Sequence, residues 1–146
     1  MRNFSINNIE CSDCLDYLKR LPDRSVDLVL TDPPYNIGFD GGKGWDTWDN
    51  EKDYLDWCID WSKECIRVLK DNRMFIVFGT LKTDTFLRYK LELNKIDGIF
   101  SQNEIIWSYN WGGREKTNFG RKHEYAWCYS KGEKFLFNSE NILQDR

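Results

Sequence analysis

The chain has 146 residues, 40% of them hydrophobic and 31% charged, with 21 Lys and Arg against 24 Asp and Glu for a net charge of −3. That composition fits a single globular domain with a real core and excludes a disordered chain. No apolar stretch is long enough to span a bilayer, and Met1-Arg2-Asn3-Phe4-Ser5 lacks the apolar core of a signal peptide, so a cytoplasmic protein without membrane contact is expected. The acidic balance is unlike the basic footprint of a general nucleic-acid binder; any such contact must be local.

Taken in order, Phe4-Ser5-Ile6 predicts a short first strand and Asn7 to Ser12 a turn. Asp13 is placed to cap a short helix with Leu15, Leu18 and Leu21 on one face, closed by Pro22. Val26, Leu28, Val29 and Leu30 form a run typical of a buried strand, which stops at Asp32-Pro33-Pro34-Tyr35 because proline cannot continue a ladder. Asp32 therefore sits at the carboxyl end of a strand, where open α/β sheets bind ligands. A carboxylate from Asp32 and a carbonyl from Pro33 offer two acceptors on a stiff turn. They suit an exocyclic amino group, and Tyr35 adds a flat face for a base.

Next comes a loop with Gly38, Gly41, Gly42 and Gly44, and with Trp45 and Trp48. It is either a loop whose tryptophans fold onto the core or a lid over the site. Asn50 to Lys70 predicts the strongest helix, capped by Asn50 and Asp53, with Tyr54, Trp57, Cys58, Trp61, Cys65 and Val68 at helical spacing. Asp71-Asn72-Arg73 is expected to end it, and Met74 to Gly79 to make a buried strand. Thr83 or Thr80 caps a second helix to about Lys95, with Phe86, Leu87, Leu91 and Leu93 apolar. Asp97-Gly98 turns the chain into a strand over Glu104 to Tyr109. Tyr125 to Tyr129 and Lys134 to Phe137 then predict an antiparallel hairpin. The five cysteines, an odd number with one Cys-x-x-Cys (Cys11, Cys14) and one histidine in the chain, predict reduced thiols and no zinc site.

Asp32-Pro33-Pro34-Tyr35 resembles the motif of amino-group DNA methyltransferases. Leu21-Pro22-Asp23-Arg24-Ser25-Val26-Asp27, leading into Thr31-Asp32-Pro33-Pro34-Tyr35-Asn36-Ile37-Gly38, is similar to their beta class, in which the catalytic half precedes the glycine-rich cofactor motif. The resemblance implies an α/β fold: part of the Rossmann-like sheet of S-adenosylmethionine-dependent methyltransferases, mostly parallel, with a terminal antiparallel hairpin. It implies S-adenosylmethionine as cofactor, double-stranded DNA as partner, and adenine N6 as acceptor because aspartate opens the motif. The catalytic set is then Asp32, Pro33, Pro34 and Tyr35. Ser12-Asp13-Cys14 resembles a Gly-Asp-Cys element that contacts the cofactor's adenosine, which adds Asp13 to Asp32 on the cofactor side. Trp111, Arg114, Lys116, Arg121 and Lys122 interleave aromatic and basic groups, as phosphate contact and base stacking require, and form the expected DNA contact. His123-Glu124 matches a recurrent pair of the family and is read as support for the site.

The family's Asp-Pro-Phe-x-Gly-x-Gly-like cofactor turn and its target-recognition region are absent. Phe78-Gly79-Thr80 echoes the turn without its second glycine. Residues 1–146 are thus expected to be a catalytic half, split or truncated, completed by a complementary carboxyl-terminal half or by a homo-oligomer. The alternatives are cytosine N4 methylation and a non-catalytic remnant that binds DNA or a partner chain.

Overall fold

The computed structural model describes residues 7–39, 41–111, 116–117 and 119–142. The expected first strand at Phe4 to Ile6 lies outside them. Helix α1 (Cys14–Leu18) starts where Asp13 accepts a hydrogen bond from the Asp16 N–H at 3.0 Å. It ends one turn sooner than Leu21. Strand β1 (Val26–Thr31) follows, then helix α2 (Glu51–Val68), strand β2 (Leu69–Gly79), helix α3 (Thr85–Leu93), and strands β3 (Ile99–Ser108) and β4 (His123–Lys131).

The four strands are ordered β1-β2-β4-β3. β1 and β2 are parallel; β4 is antiparallel to both β2 and β3, so β1, β2 and β3 all point one way and β4 alone is reversed. The α/β sheet is therefore mixed: three of its four strands run one way, and the reversed β4 makes antiparallel pairs with both β2 and β3. The expected terminal hairpin differs in its strands. Tyr125 to Tyr129 bond to β2 and β3, from Gly79↔Tyr125 on one side to Ile99↔Lys131 on the other, while residues 134–137 form no strand. β2 and β3 occupy the two edges of β4, so no edge is left for a four-residue return strand.

α2 passes directly into β2: Val68 is the last helical residue and Leu69 is already extended. Asp71-Asn72-Arg73 consequently does not end the helix. It bulges out of β2, where the register with β1 jumps from Val26↔Leu69 to Leu28↔Met74 and Asn72 takes a left-handed φ of 60°. Asp27 of β1 pins the bulge by ion pairs to Lys70 at 2.7 Å and Arg73 at 3.2 Å. At the same end Lys131 donates to the carbonyls of Ile66 at 2.8 Å and Leu69 at 2.7 Å, satisfying acceptors left open at the end of α2.

One face of the sheet is covered. Phe75 and Val77 of β2 and Trp127 and Tyr129 of β4 pack with Tyr54, Cys58, Trp61 and Cys65 of α2 and Phe86, Tyr89 and Leu93 of α3. Leu87 and Leu91, expected as apolar contacts of α3, are 47% and 55% exposed; Tyr89 takes the inward place and hydrogen-bonds Ser62 at 2.6 Å. The opposite face is open. Leu28 and Leu30 are 52% and 60% exposed there, in line with half-buried Met74, Ile76 and Phe78 and with exposed Ile105. β1 is thus a half-covered edge strand and not the fully buried one expected, because nothing among the described residues packs on its outer face. Among the described residues no helix is long and apolar enough to cross a membrane.

Candidate active site

Asp32 follows the last residue of β1, and Pro33 and Pro34 carry the chain off the sheet because neither has an N–H to extend the ladder. Asp32, Pro33, Pro34 and Tyr35 form one wall of a cavity of about 470 Å³. Phe39, Trp45 and Asp46 of the following loop face them, with Thr80 and Lys82 beyond β2 and with Arg121 and Glu124 at the start of β4. The four expected catalytic residues are therefore together, at one opening.

Tyr35 donates its hydroxyl to Oδ1 of Asp32 at 2.5 Å. Burial, and next this bond to Asp32, push the Tyr35 phenol well above its ordinary range, so it remains a donor at neutral pH. The bond fixes one carboxylate oxygen and leaves Oδ2 of Asp32 for another partner. The Pro34 carbonyl accepts from the Tyr54 hydroxyl at 2.9 Å. Among the described residues no donor reaches the Pro33 carbonyl, so the acceptor expected for an amino group is the one left open.

The loop after the tetrad divides its two tryptophans. Trp48 packs on Tyr54 and Trp57 at ring distances of 4.9 and 5.0 Å, as core, whereas Trp45 is 53% exposed and lines the cavity. Between them lies Asp46, only 2% exposed, whose carboxylate accepts from backbone N–H groups of the tetrad and the residues after it. Asp46 is not among the residues that the sequence singles out. Its signal is an aspartate between two tryptophans in a glycine-rich loop, which has the look of a solvated turn residue.

Asp13 lies outside the large cavity. Its neighbour Cys14 lines a second, smaller cavity of about 220 Å³ with Leu18, Trp57, Trp61 and Asp32-Pro33-Pro34. The tripeptide thus borders both cavities, and Asp32 faces each. At Phe78-Gly79-Thr80 the Phe86 ring fills the space over Gly79, and Thr80, itself buried, borders the larger cavity.

The expected DNA contacts separate. Arg114 lies outside the described residues. Lys116 is exposed, and Trp111, 68% exposed, stacks on Tyr109 at 4.5 Å. Lys122 donates to the Trp111 carbonyl at 2.9 Å. Arg121 turns toward the cavity, donating to Oγ1 of Thr80 and the carbonyl of Leu81, each at 3.0 Å. Glu124 is the third carboxylate at the cavity, with Asp32 and Asp46; its Oε2 is shielded from solvent and unpaired among the described residues. His123 stacks edge-on against Tyr125, with a hydrogen bond of 3.1 Å between its Nε2 and the Tyr125 hydroxyl, and does not line the cavity.

A profile of the DNA methylase family matches residues 26–146. The chain is 34% identical over 133 residues to the type II methyltransferase M.HpaI of Haemophilus parainfluenzae, covering 90% of this chain and 41% of that protein. It is 36% identical over 136 residues to the DNA adenine methyltransferase YhdJ of Escherichia coli (strain K12), covering 90% and 44%. In fold it is similar to the cytosine-N4-specific PvuII DNA methyltransferase, with a TM-score of 0.74 at 20% identity over 90% of this chain and 51% of that one. A DNA modification methylase from Thermus thermophilus, complexed with S-adenosyl-L-methionine, gives a TM-score of 0.57 at 20% identity, covering 88% of this chain and 55% of that one. The chain spans about half the length of these proteins, or somewhat less.

Proposed function

The chain belongs to the DNA methylase family, and from that premise we propose that it is the catalytic half of an S-adenosylmethionine-dependent DNA methyltransferase acting on adenine N6. The observation that carries the reading is the pair of open acceptors at the carboxyl end of β1, Oδ2 of Asp32 and the carbonyl of Pro33, on two residues that line the larger cavity. An adenine extruded from the duplex enters that cavity and places one amino hydrogen on each acceptor. The two hydrogen bonds draw the nitrogen's lone pair out of conjugation with the ring and favour the positive charge that develops as the nitrogen is alkylated. Held at this site, the cofactor would supply an electrophilic methyl group on a sulfonium that leaves as a neutral thioether. The alkylated amino group gives up one proton to solvent.

The smaller cavity fits part of such a cofactor. Trp57 and Trp61 give it apolar walls, Asp13 stands at the cap beside it, and Asp32 joins it to the acceptor side. At about 220 Å³ it falls below the roughly 300–1,000 Å³ of ordinary small-molecule pockets, so the rest of the cofactor's contacts come from outside this stretch. The complementary half, bearing the glycine-rich turn, supplies them and covers the open sheet face at Leu28 and Leu30. Trp111, Lys116 and Lys122, with Arg114, contact the duplex. Arg121, drawn to the cavity wall, meets the extruded nucleotide.

Labelled methyl transfer to unmethylated DNA tests the reading, with the chain alone and mixed with a matching carboxyl-terminal half, followed by digestion to nucleosides. N6-methyladenine that disappears in Asp32→Ala is expected, a loss of about 3 kcal/mol or more of transition-state stabilisation. N4-methylcytosine would overturn the choice of base. No product in either arrangement, or full activity in Asp32→Ala, would overturn the function.

A further inference from the structure

We infer that Asp46 is the positioning residue of this site: it gathers the backbone N–H groups of five consecutive residues, 35–39, and so fixes where Asp32 and Tyr35 stand in the cavity. Tyr35 and Asn36 donate to its Oδ1 at 2.7 Å each. Ile37 and Phe39 donate to Oδ2 at 3.3 and 2.8 Å, and Gly38 donates to the main-chain carbonyl of the same residue at 3.1 Å. Left-handed φ values of 56° at Asn36 and 70° at Gly38 alternate with ordinary backbone and turn successive N–H groups inward. Such a concave run of amides is an anion site, and here the anion is the chain's own carboxylate.

A buried carboxylate is costly unless its oxygens are satisfied, and these donors satisfy them. The arrangement exceeds what closing a turn requires, and it has a second anchor. Oδ1 of Asn36 accepts from the Trp48 N–H at 3.1 Å, and the Trp48 ring is held against Tyr54 and Trp57 of α2. The tetrad is therefore hung from α2 by Asp46 and Trp48, while β1 holds only its near end. Its Asp32–Tyr35 bond spans three residues and depends on the path between them. Misplacement of a reacting group by about 1 Å costs on the order of a hundredfold in rate, so a carboxylate that sets this path acts on turnover without touching substrate.

The inference rests on the methyl-transfer reading, and the test separates the two. Asp46→Asn keeps the shape and one acceptor oxygen but places an amide NH₂ among N–H donors. Asn36→Gly keeps the left-handed backbone and removes the bond to Trp48. In the assembly in which wild type transfers methyl groups, Asp46→Asn is expected to melt cooperatively, with kcat lower by about a hundredfold and KM for DNA and cofactor unchanged. Asn36→Gly is expected to fall between it and wild type. Amide hydrogen exchange at residues 35–39 is expected to be slow in wild type and fast in Asp46→Asn. An unchanged kcat, or a loss that only follows the unfolded fraction, overturns the inference. If wild type transfers no methyl groups, the methyl-transfer reading falls and exchange alone decides: equal rates in wild type and Asp46→Asn overturn the role of Asp46, and selective loss of protection at 35–39 upholds it.

Discussion

Phe86 stands where Gly79 would carry a side chain. A Cβ built on Gly79 lies 1.8 Å from Cζ of Phe86, whose ring is stacked on Trp127 at 3.8 Å with only 4° between planes. The ring cannot retreat, and it also stands 6.4 Å from Tyr35. Gly79→Ala is expected to destabilise the fold by about 1–3 kcal/mol, the usual range for overpacking. Chemical denaturation measures it, and the double variant Gly79→Ala, Phe86→Ala should recover part of the loss. Additive losses in the double variant would show that the two residues do not compete for one space.

The tyrosines set an alkaline limit. Burial raises the phenols of Tyr35, Tyr54, Tyr89 and Tyr129 above their ordinary range, with Asp32 adding to the shift at Tyr35. A group whose pKa is raised on folding contributes stability that is present in full below the unfolded value of about 10 and is lost as pH rises beyond it. Urea unfolding is expected to give constant tyrosine-linked stability up to about pH 9 and a decline above about pH 10. Tyr35→Phe should flatten the decline. An alkaline profile identical to wild type would mean that Tyr35 titrates as an exposed phenol.

Lys131 closes the carboxyl end of α2 from the neighbouring strand, with its side chain only 18% exposed. Lys131→Met keeps the aliphatic stem and orphans those carbonyls. Hydrogen bonds from a charged donor contribute roughly 1.5–3 kcal/mol, and a loss in the lower part of that range is expected because waters reach some of the freed acceptors. A melting temperature unchanged from wild type would contradict the cap.

Lys116 and Arg121, grouped by charge in the sequence, are expected to part in a salt titration of DNA binding. Removing one phosphate-binding cation lowers the slope of log K against log salt by about 1. Lys116→Ala should do so. Arg121→Ala should leave the slope intact and weaken binding of the extruded base, because its guanidinium is committed to Thr80 and Leu81. Equal slope changes would return Arg121 to the phosphate backbone.

Local signals carried much of this fold. Asn50 caps α2 by accepting from the Asp53 N–H at 2.9 Å, and the prolines after Asp32 end β1; both are written in adjacent residues. Structure departs from local sequence pattern where the outcome depends on a distant partner. Whether 125–129 pairs with 134–137 or with β2 and β3 is decided by strands far upstream. Leu91 fits an apolar stripe as well as Tyr89 does, but only Tyr89 meets Ser62 across the helix pair. In the same way the tetrad was legible as four adjacent residues, whereas Asp46 acts on it from 11 residues along the chain, through backbone N–H groups that leave no trace in side-chain pattern.

The loop that follows the tetrad is two mechanical parts. Residues 35–39 are a ring of fixed circumference: each N–H has an assigned oxygen on Asp46, and one inserted residue would shift every later donor out of reach. Gly41 and Gly44 have left-handed φ and no atom within 4 Å of where a side chain would begin. Length added beside Gly44 lies outside residues 35–39 and leaves every donor of the ring in register with Asp46, which makes that position the place to graft a reporter, a cleavage site or a longer loop.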